Sequence, residues 1–284
     1  MMQNYEILSQ RDAENALKEI VQEIALLGLH RSHFFEKAAF YGGTALRILY
    51  GLSRFSEDLD FTLLQPDKNF SLTPYFSAIQ KELESYGFEV DIKRVDKKIE
   101  SEIESAFIKA GTKIHFLKIT LLKPFAESIQ STDKLQIKFE VDTNPSPGFS
   151  VETRYLLKPT SFPIISLKKP DLFAGEIHAL LFRKWKNRVK GRDFYDYVWY
   201  LKNNTPVNLQ YFQNIQSQQN QKTIKKVKNL KDLQSLLKSH FETIDFKKVK
   251  QDVLPFIKDP RELEVWSPDF FIQITDKLTV TSAG

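Results

Sequence analysis

With 284 residues, 42% of them apolar, 23 phenylalanines and no cysteine, the chain can build one large domain or two modest ones around a true core. It can form no disulfide, thiolate metal site or cysteine nucleophile. A net charge of +5 and a pI near 9.0 favour an anionic partner, and the charged N-terminal stretch predicts neither a signal peptide nor a membrane span, hence a soluble, cytoplasmic protein.

Residues 1–37 read as helices. Leu17, Ile20, Val21, Ile24 and Leu27 recur at helical spacing and leave Lys18, Glu19 and Glu23 outside. Gly28 is expected to end that helix, with a short one around Phe34.

Gly42 to Phe61 follows, reading GGTALRILYGLSRFSEDLDF. Gly42 and Gly43 let the backbone turn sharply and approach a ligand, and Thr44 is placed to cap the helix after them. The first N–H groups of such a helix bind anions, phosphate above all. A short strand is predicted next, with Ser56, Asp58 and Asp60 alternating onto one face. Two carboxylates facing a phosphate-binding turn suit Mg²⁺ or Mn²⁺, since Mg²⁺ takes one or two carboxylates plus substrate phosphates. Either half of the pattern alone is a common turn or a common acidic loop. The fourteen residues between Gly43 and Asp58 are enough for one helix and a returning strand, which brings both halves to one end of a sheet.

This run resembles the signature of nucleotidyltransferases of the DNA polymerase β superfamily, and with Arg54 and Ser56 before Asp58-Leu59-Asp60-Phe61 it resembles the AbiEii toxin family within it. That family supplies toxins of type IV toxin–antitoxin systems, including the MenT-type enzymes. The resemblance implies an α/β (α+β) fold: a polymerase-β-like nucleotidyltransferase domain with a mixed sheet, then a helical C-terminal domain. It implies nucleotide binding by Gly42, Gly43, Thr44, Arg47 and Ser56, and metal on Asp58 and Asp60. It also implies an NTP substrate, an RNA acceptor such as the 3′ end of tRNA, and a cognate antitoxin.

Thr73 to Tyr86 is a predicted amphipathic helix ended by Gly87. From Phe88 the period becomes two, giving strand candidates at 88–92, Ile114–Leu122 and Leu135–Val141, with Lys97 to Ala110 predicted helical. In the third strand Ile137, Phe139 and Val141 share one face, and Lys138, Glu140 and Asp142 the other. A polymerase-β-like site needs a third carboxylate on a neighbouring strand, and Glu140 and Asp142 are the candidates. The break Asn144-Pro145-Ser146-Pro147-Gly148 precedes one or two last strands near Tyr155–Leu157 and Ile164-Ile165. Pro170 opens a helix with Phe173, Ile177, Leu180 and Leu181 as its buried stripe. The predicted domains are 1–166 and 167–284.

Arg183 to Arg192 reads RKWKNRVKGR, six basic residues in ten. It is either a solvated helix end or a phosphate contact through Lys184, Lys186, Arg188, Lys190 and Arg192, with Trp185 stacking on a base. Gly191-Arg192-Asp193-Phe194-Tyr195-Asp196 resembles the family's second signature, which makes Asp193 and Asp196 catalytic candidates. Asp193 can equally be an N-cap. Asp196, one turn in, calls for a cationic partner: Arg192, Arg183 or a lysine.

One departure stands out. The helix before this signature carries, in the family, a lysine needed for activity, and here Glu176 holds its place. Either Arg183 or Lys184 takes over the contact with nucleotide, or the chain is a catalytically weakened binding relative. A transferase acting on a small-molecule hydroxyl is a further alternative. His178 is read as a helix residue without a metal role. Beyond it, Gln213–Gln221 is predicted exposed, Lys222 to Leu233 an amphipathic helix with a basic face, and Thr275 to Gly284 frayed.

Overall fold

In the computed structural model, residues 1–95, 102–111, 134–183, 190–218 and 226–281 are described. They divide into two compact units. The first holds Met1–Gly51, Phe55–Pro145 and Glu152–Ser166; the second holds Leu52–Arg54, Ser146–Val151 and Leu167–Gly284.

The first unit begins with helix α1 (Gln10–Arg31), whose N-cap Ser9 accepts a hydrogen bond from the Asp12 N–H. Its predicted stripe of Leu17, Ile20, Val21, Ile24 and Leu27 is buried. The helix does not stop at Gly28. It continues to Arg31, because Gly28 serves a close approach: a Cβ there would lie 2.8 Å from the Cα of Ile79 in helix α3 (Thr73–Ser85).

Glu23, expected at the surface, is buried, and its Oε2 has no hydrogen-bond partner among the described residues. Burial, helped by the Glu19 carboxylate, pushes its carboxyl up from 4.5 to about 7. The folded state therefore holds this proton more tightly than the unfolded state, and stability falls as pH rises from 4.5 towards 7. Glu23→Gln is expected to gain roughly 3 kcal/mol at about pH 8 and almost nothing at about pH 4, as read by urea unfolding. An equal gain at both pH values would assign the effect to packing instead.

Among the described residues the sheet has seven strands: β1 (Ala38–Tyr41), β2 (Leu59–Leu63), β3 (Val90–Arg94), β4 (Ile103–Gly111), β5 (Lys134–Asp142), β6 (Val151–Leu156) and β7 (Phe162–Leu167), in the order β3-β4-β5-β2-β1-β7-β6. The sheet is mixed. β1 is antiparallel to β2 and parallel to β7, while β2 runs parallel to β5. Aromatic side chains fill the core on one face, with the Phe61 ring centroid 4.9 Å from Phe34 and 5.0 Å from Phe139.

The helix expected over Lys97–Ala110 is absent where that stretch is described. Its lysines, glutamates and alanines favour a helix, but β4 lies between β3 and β5 and pairs with both. Ala106, Ile108 and Ala110 are buried at a period of two, so packing overrides local preference. The strand expected over Ile114–Leu122 lies outside the described residues.

The second unit is mainly helical: α4 (Lys169–Phe182), α5 (Gly191–Lys202), α6 (Leu209–Gln218), α7 (Leu230–Glu242), α8 (Phe246–Val253) and α9 (Pro268–Ile274). Pro170 sits in the first turn of α4; Phe173, Ile177 and Leu180 are buried, and Leu181 is half-buried. Phe173 stacks on Tyr200 of α5 at 4.3 Å.

Three expectations need correction here. The basic helix begins only at Leu230, because Asn229 caps it, accepting from the Asp232 N–H at 3.0 Å; residues 222–225 lie outside the described set. Just before it the Val227 N–H donates to the buried Gln216 at 3.2 Å, which also places Gln216 inside rather than on an exposed surface. The tail is held as far as Thr281. Val207 donates to the Thr279 carbonyl at 2.8 Å and accepts from the Thr281 N–H at 2.9 Å, while Thr275 and Leu278 are buried. Among the described residues no helix is long and apolar enough to cross a membrane.

Candidate active site

Strand β1 delivers the chain to Gly42, which opens helix α2 (Gly42–Tyr50) with φ at +79°. In the β1–β2 register Tyr41 stands opposite Asp60, so the turn lies against that carboxylate. A Cβ on Gly42 would come within 2.8 Å of Asp60 Oδ2. Both the left-handed backbone and the close approach demand glycine here.

Thr44 is not the cap. Gly42 starts the helix two residues earlier, and Tyr41 occupies the cap position without a side-chain bond. Thr44 is instead buried in the first turn, where its hydroxyl donates to the main-chain carbonyl of Asp58. That bond ties the glycine turn directly to the acidic segment.

β2 starts at Leu59, so Asp60 is on the strand while Ser56 and Asp58 lie on the irregular segment leading into it. The Ser56 carbonyl accepts from Gln22 Nε2 at 3.2 Å. Arg47 reaches across to α1, where its Nε donates to Glu19 at 2.8 Å and its guanidinium lies 4.5 Å from the centroid of the Phe55 ring.

The two candidates for a third carboxylate occupy different environments. Glu140 is the register partner of Asp60 on the parallel strand β5, so their side chains share a face. It accepts from Ser105 Oγ at 3.0 Å and pairs with Lys138 Nζ at 2.7 Å. Asp142 is opposite Thr62 and closes a turn by accepting from the Asn144 N–H at 2.9 Å. Burial raises the Asp142 carboxyl above its ordinary value against that hydrogen bond.

Among the described residues no three histidine, aspartate or glutamate side chains are gathered as a metal cluster. Asp58 and Asp60 beside the Gly42 turn are a donor set that fits Mg²⁺ when phosphates and water complete its shell.

A second polar group lies within the second unit. Asp196, fully buried on α5, receives Arg54 in a two-pronged ion pair: Nε to Oδ1 at 2.6 Å, and Nη2 to Oδ2. The partners expected from sequence were Arg192, Arg183 or a lysine. Arg192 instead lies over Phe256 at 4.2 Å, and Arg183 pairs with Asp193 at 3.3 Å. Asp193 is not a cap, since α5 begins after Lys190; it is buried, with Lys190 Nζ 3.9 Å away.

Glu176 on α4 feels Asp193 and Asp196, and it has no ion-pair partner among the described residues. Burial first, then those two carboxylates, push its carboxyl well above the usual range, opposed by Arg183 and Lys190. His178 is buried against Phe182 at 4.8 Å, and burial lowers it to about 4, which fits a neutral ring in the interior. Lys184, Trp185, Lys186 and Arg188 lie outside the described residues.

Sequence reasoning missed Arg54 as the partner of Asp196. A signal was present: an aspartate one turn inside an aromatic-rich helix requires a buried cation, and Arg54 is a cation directly before Phe55 and two positions after Leu52.

Comparison with known proteins gives two kinds of match. A candidate nucleotidyltransferase from Helicobacter pylori shares the fold at a TM-score of 0.55 and 20% identity, over 95% of each chain. JHP933 from the same organism does so at a TM-score of 0.51 and 19% identity, over 95% of this chain and 92% of that one. Nothing matches among curated proteins. The model of a family described as "Nucleotidyl transferase AbiEii toxin, Type IV TA system" matches residues 24–273. That span takes in both the glycine–aspartate run and the Arg192-Asp193 signature, and the chain belongs to the AbiEii family of nucleotidyltransferase toxins.

Proposed function

We propose that this chain transfers a nucleoside monophosphate from an NTP to a hydroxyl of RNA, the 3′ end of tRNA being the acceptor, and that a cognate antitoxin restrains it. The observation that supports the reading most is the contact of the Gly42 turn with Asp60, with Glu140 in register beside it. The free N–H groups at the start of α2 bind triphosphate oxygens. Asp58 and Asp60 would hold Mg²⁺ or Mn²⁺, which would neutralise the charge that develops during transfer. Glu140, held by Ser105 and Lys138, is the residue we assign to take the proton of the acceptor hydroxyl. Asp142 is the weaker candidate because its carboxylate is committed to the Asn144 turn. Incubation with labelled NTPs, Mg²⁺ and tRNA tests the proposal, and absence of label from RNA with all four nucleotides would remove it.

The basic run supports RNA as the acceptor. Neutralising Lys184, Lys186, Arg188 and Lys190 together is expected to weaken tRNA binding and to lower the slope of log affinity against log salt by about 3–4. An unchanged slope would leave these residues as a solvated face.

Glu176 supports a second reading, a relative that binds nucleotide or RNA with weakened chemistry. Its carboxyl stands among the charges of Asp193 and Asp196 where the family carries a lysine. A lysine would turn that repulsion into attraction and present a positive point charge to phosphate. Glu176→Lys is expected to raise transfer and tighten NTP binding by about tenfold, the worth of one favourable charge contact. Equal rates and affinities in both proteins would place Glu176 outside the site.

A further inference from the structure

Among the described residues the sheet ends in two edge strands, and these differ. Edge strand β3 carries charge at its exposed positions, Asp91, Lys93 and Arg94, which is the usual protection against pairing with another chain. Edge strand β6 has none on its exposed face. Val151, Thr153 and Tyr155 point outward there, followed by Leu157, and Tyr155 and Leu157 are 71% and 74% exposed. The charges of β6, Glu152 and Arg154, lie on the other, half-buried face. There Glu152 accepts from Tyr50 Oη at 2.6 Å, and Arg154 donates to the Leu49 carbonyl at 3.0 Å.

That sequence is complementary to itself when reversed. An antiparallel pairing of two β6 strands about a two-fold axis at Thr153 sets Thr153 opposite Thr153, Val151 opposite Tyr155 and Glu152 opposite Arg154, each of the last two pairs occurring twice. Apolar meets aromatic on one face, and opposite charges meet on the other. A slip to either neighbouring symmetric register sets Glu152 against Glu152 or Arg154 against Arg154, so like charges exclude the alternatives. The remaining Glu152 oxygen has no partner among the described residues and is available to the other copy.

We propose that β6 is a homodimer interface, at which a second copy of this chain continues the sheet across the molecular two-fold. This is an isologous contact, in which the same strand serves on both sides. It requires the main-chain N–H and C=O groups of β6 that face away from β7 to be satisfied by the other copy instead of by water.

Sedimentation equilibrium at tens of micromolar and hydrogen exchange at the β6 amides test it. The expected mass is twice the 33.1 kDa of one chain, with the β6 amides that face away from β7 protected. Thr153→Lys sets two ammonium groups face to face at the axis, at a position exposed in the single chain; it is expected to give a folded monomer in which the β6 amides facing away from β7 lose their protection. Arg154→Glu is expected to do the same, and the swap Glu152→Arg with Arg154→Glu to restore the dimer. Circular dichroism of each variant confirms folding. A monomeric parent protein overturns the proposal, as does a dimer that survives Thr153→Lys. Protection of β6 appearing only when a co-expressed antitoxin is present also overturns it, giving the strand to that partner.

Discussion

Asp60→Ala is expected to lower nucleotide transfer by at least about a thousandfold while leaving the melting temperature nearly unchanged, and Asp58→Ala to do the same. The magnitude follows from the several kcal/mol that a correctly held metal contributes to stabilising transferred charge. Stability should survive because neither carboxylate belongs to the apolar side of β2, whose Leu59, Phe61 and Leu63 carry the packing. The bond from Thr44 is to the main-chain carbonyl of Asp58, so removing that side chain leaves the tie in place. Loss of Mg²⁺-dependent NTP binding in both variants, measured by titration, would accompany the loss of rate. Transfer at the parental rate in either variant means that the site has been put in the wrong place.

The second large effect concerns the buried pair of Arg54 and Asp196. Arg54→Met is expected to destabilise the protein by about 3–5 kcal/mol, because it leaves the Asp196 carboxylate buried without its cation. Removing both charges, as Arg54→Met with Asp196→Leu, should recover most of that loss, since a well-packed apolar pair is often as stable as a buried ion pair. Urea unfolding of the two single variants and the double variant measures the coupling. A double variant no more stable than the worse single one would show that the pair is not coupled. Transfer assays on the double variant then separate two roles for Asp196: recovered stability with transfer still absent assigns it to the chemistry, and recovery of both makes it a structural anchor.

Much of this was legible in the residues, for identifiable reasons. Gly42-Gly43, a helix and an Asp-x-Asp run are local features, and each residue's role depends on neighbours within twenty positions. The alternation in β5 was equally clear, because Ile137, Phe139 and Val141 face a core while Lys138, Glu140 and Asp142 do not. β4 was read as helix because its composition favours one, and only its two partner strands reverse that preference. Gly28 looked like a helix end, since a glycine that admits a neighbouring backbone is indistinguishable in sequence from one that stops a helix. Thr44 reads as a cap in the sequence because the left-handed φ of Gly42 cannot be told from a pair of glycines. The match of Arg54 with Asp196 spans 142 positions, and no periodicity within either segment encodes it.

The second unit is assembled from three separate stretches of chain, two of them embedded in the first unit's sequence. Its order of appearance on the ribosome therefore matters. Arg54 leaves the exit tunnel 142 residues ahead of Asp196, a delay on the order of ten seconds at ordinary rates of synthesis. During that interval the arginine has no carboxylate to bury against, and the helical unit cannot close. A polypeptide released early, or a fragment started at residue 167, lacks one half of a charge pair. Such a fragment is expected to emerge as a loosely packed species exposed to proteolysis. Truncated products that lack either residue are therefore expected to leave no stable second unit behind, whereas a chain that carries both can close it.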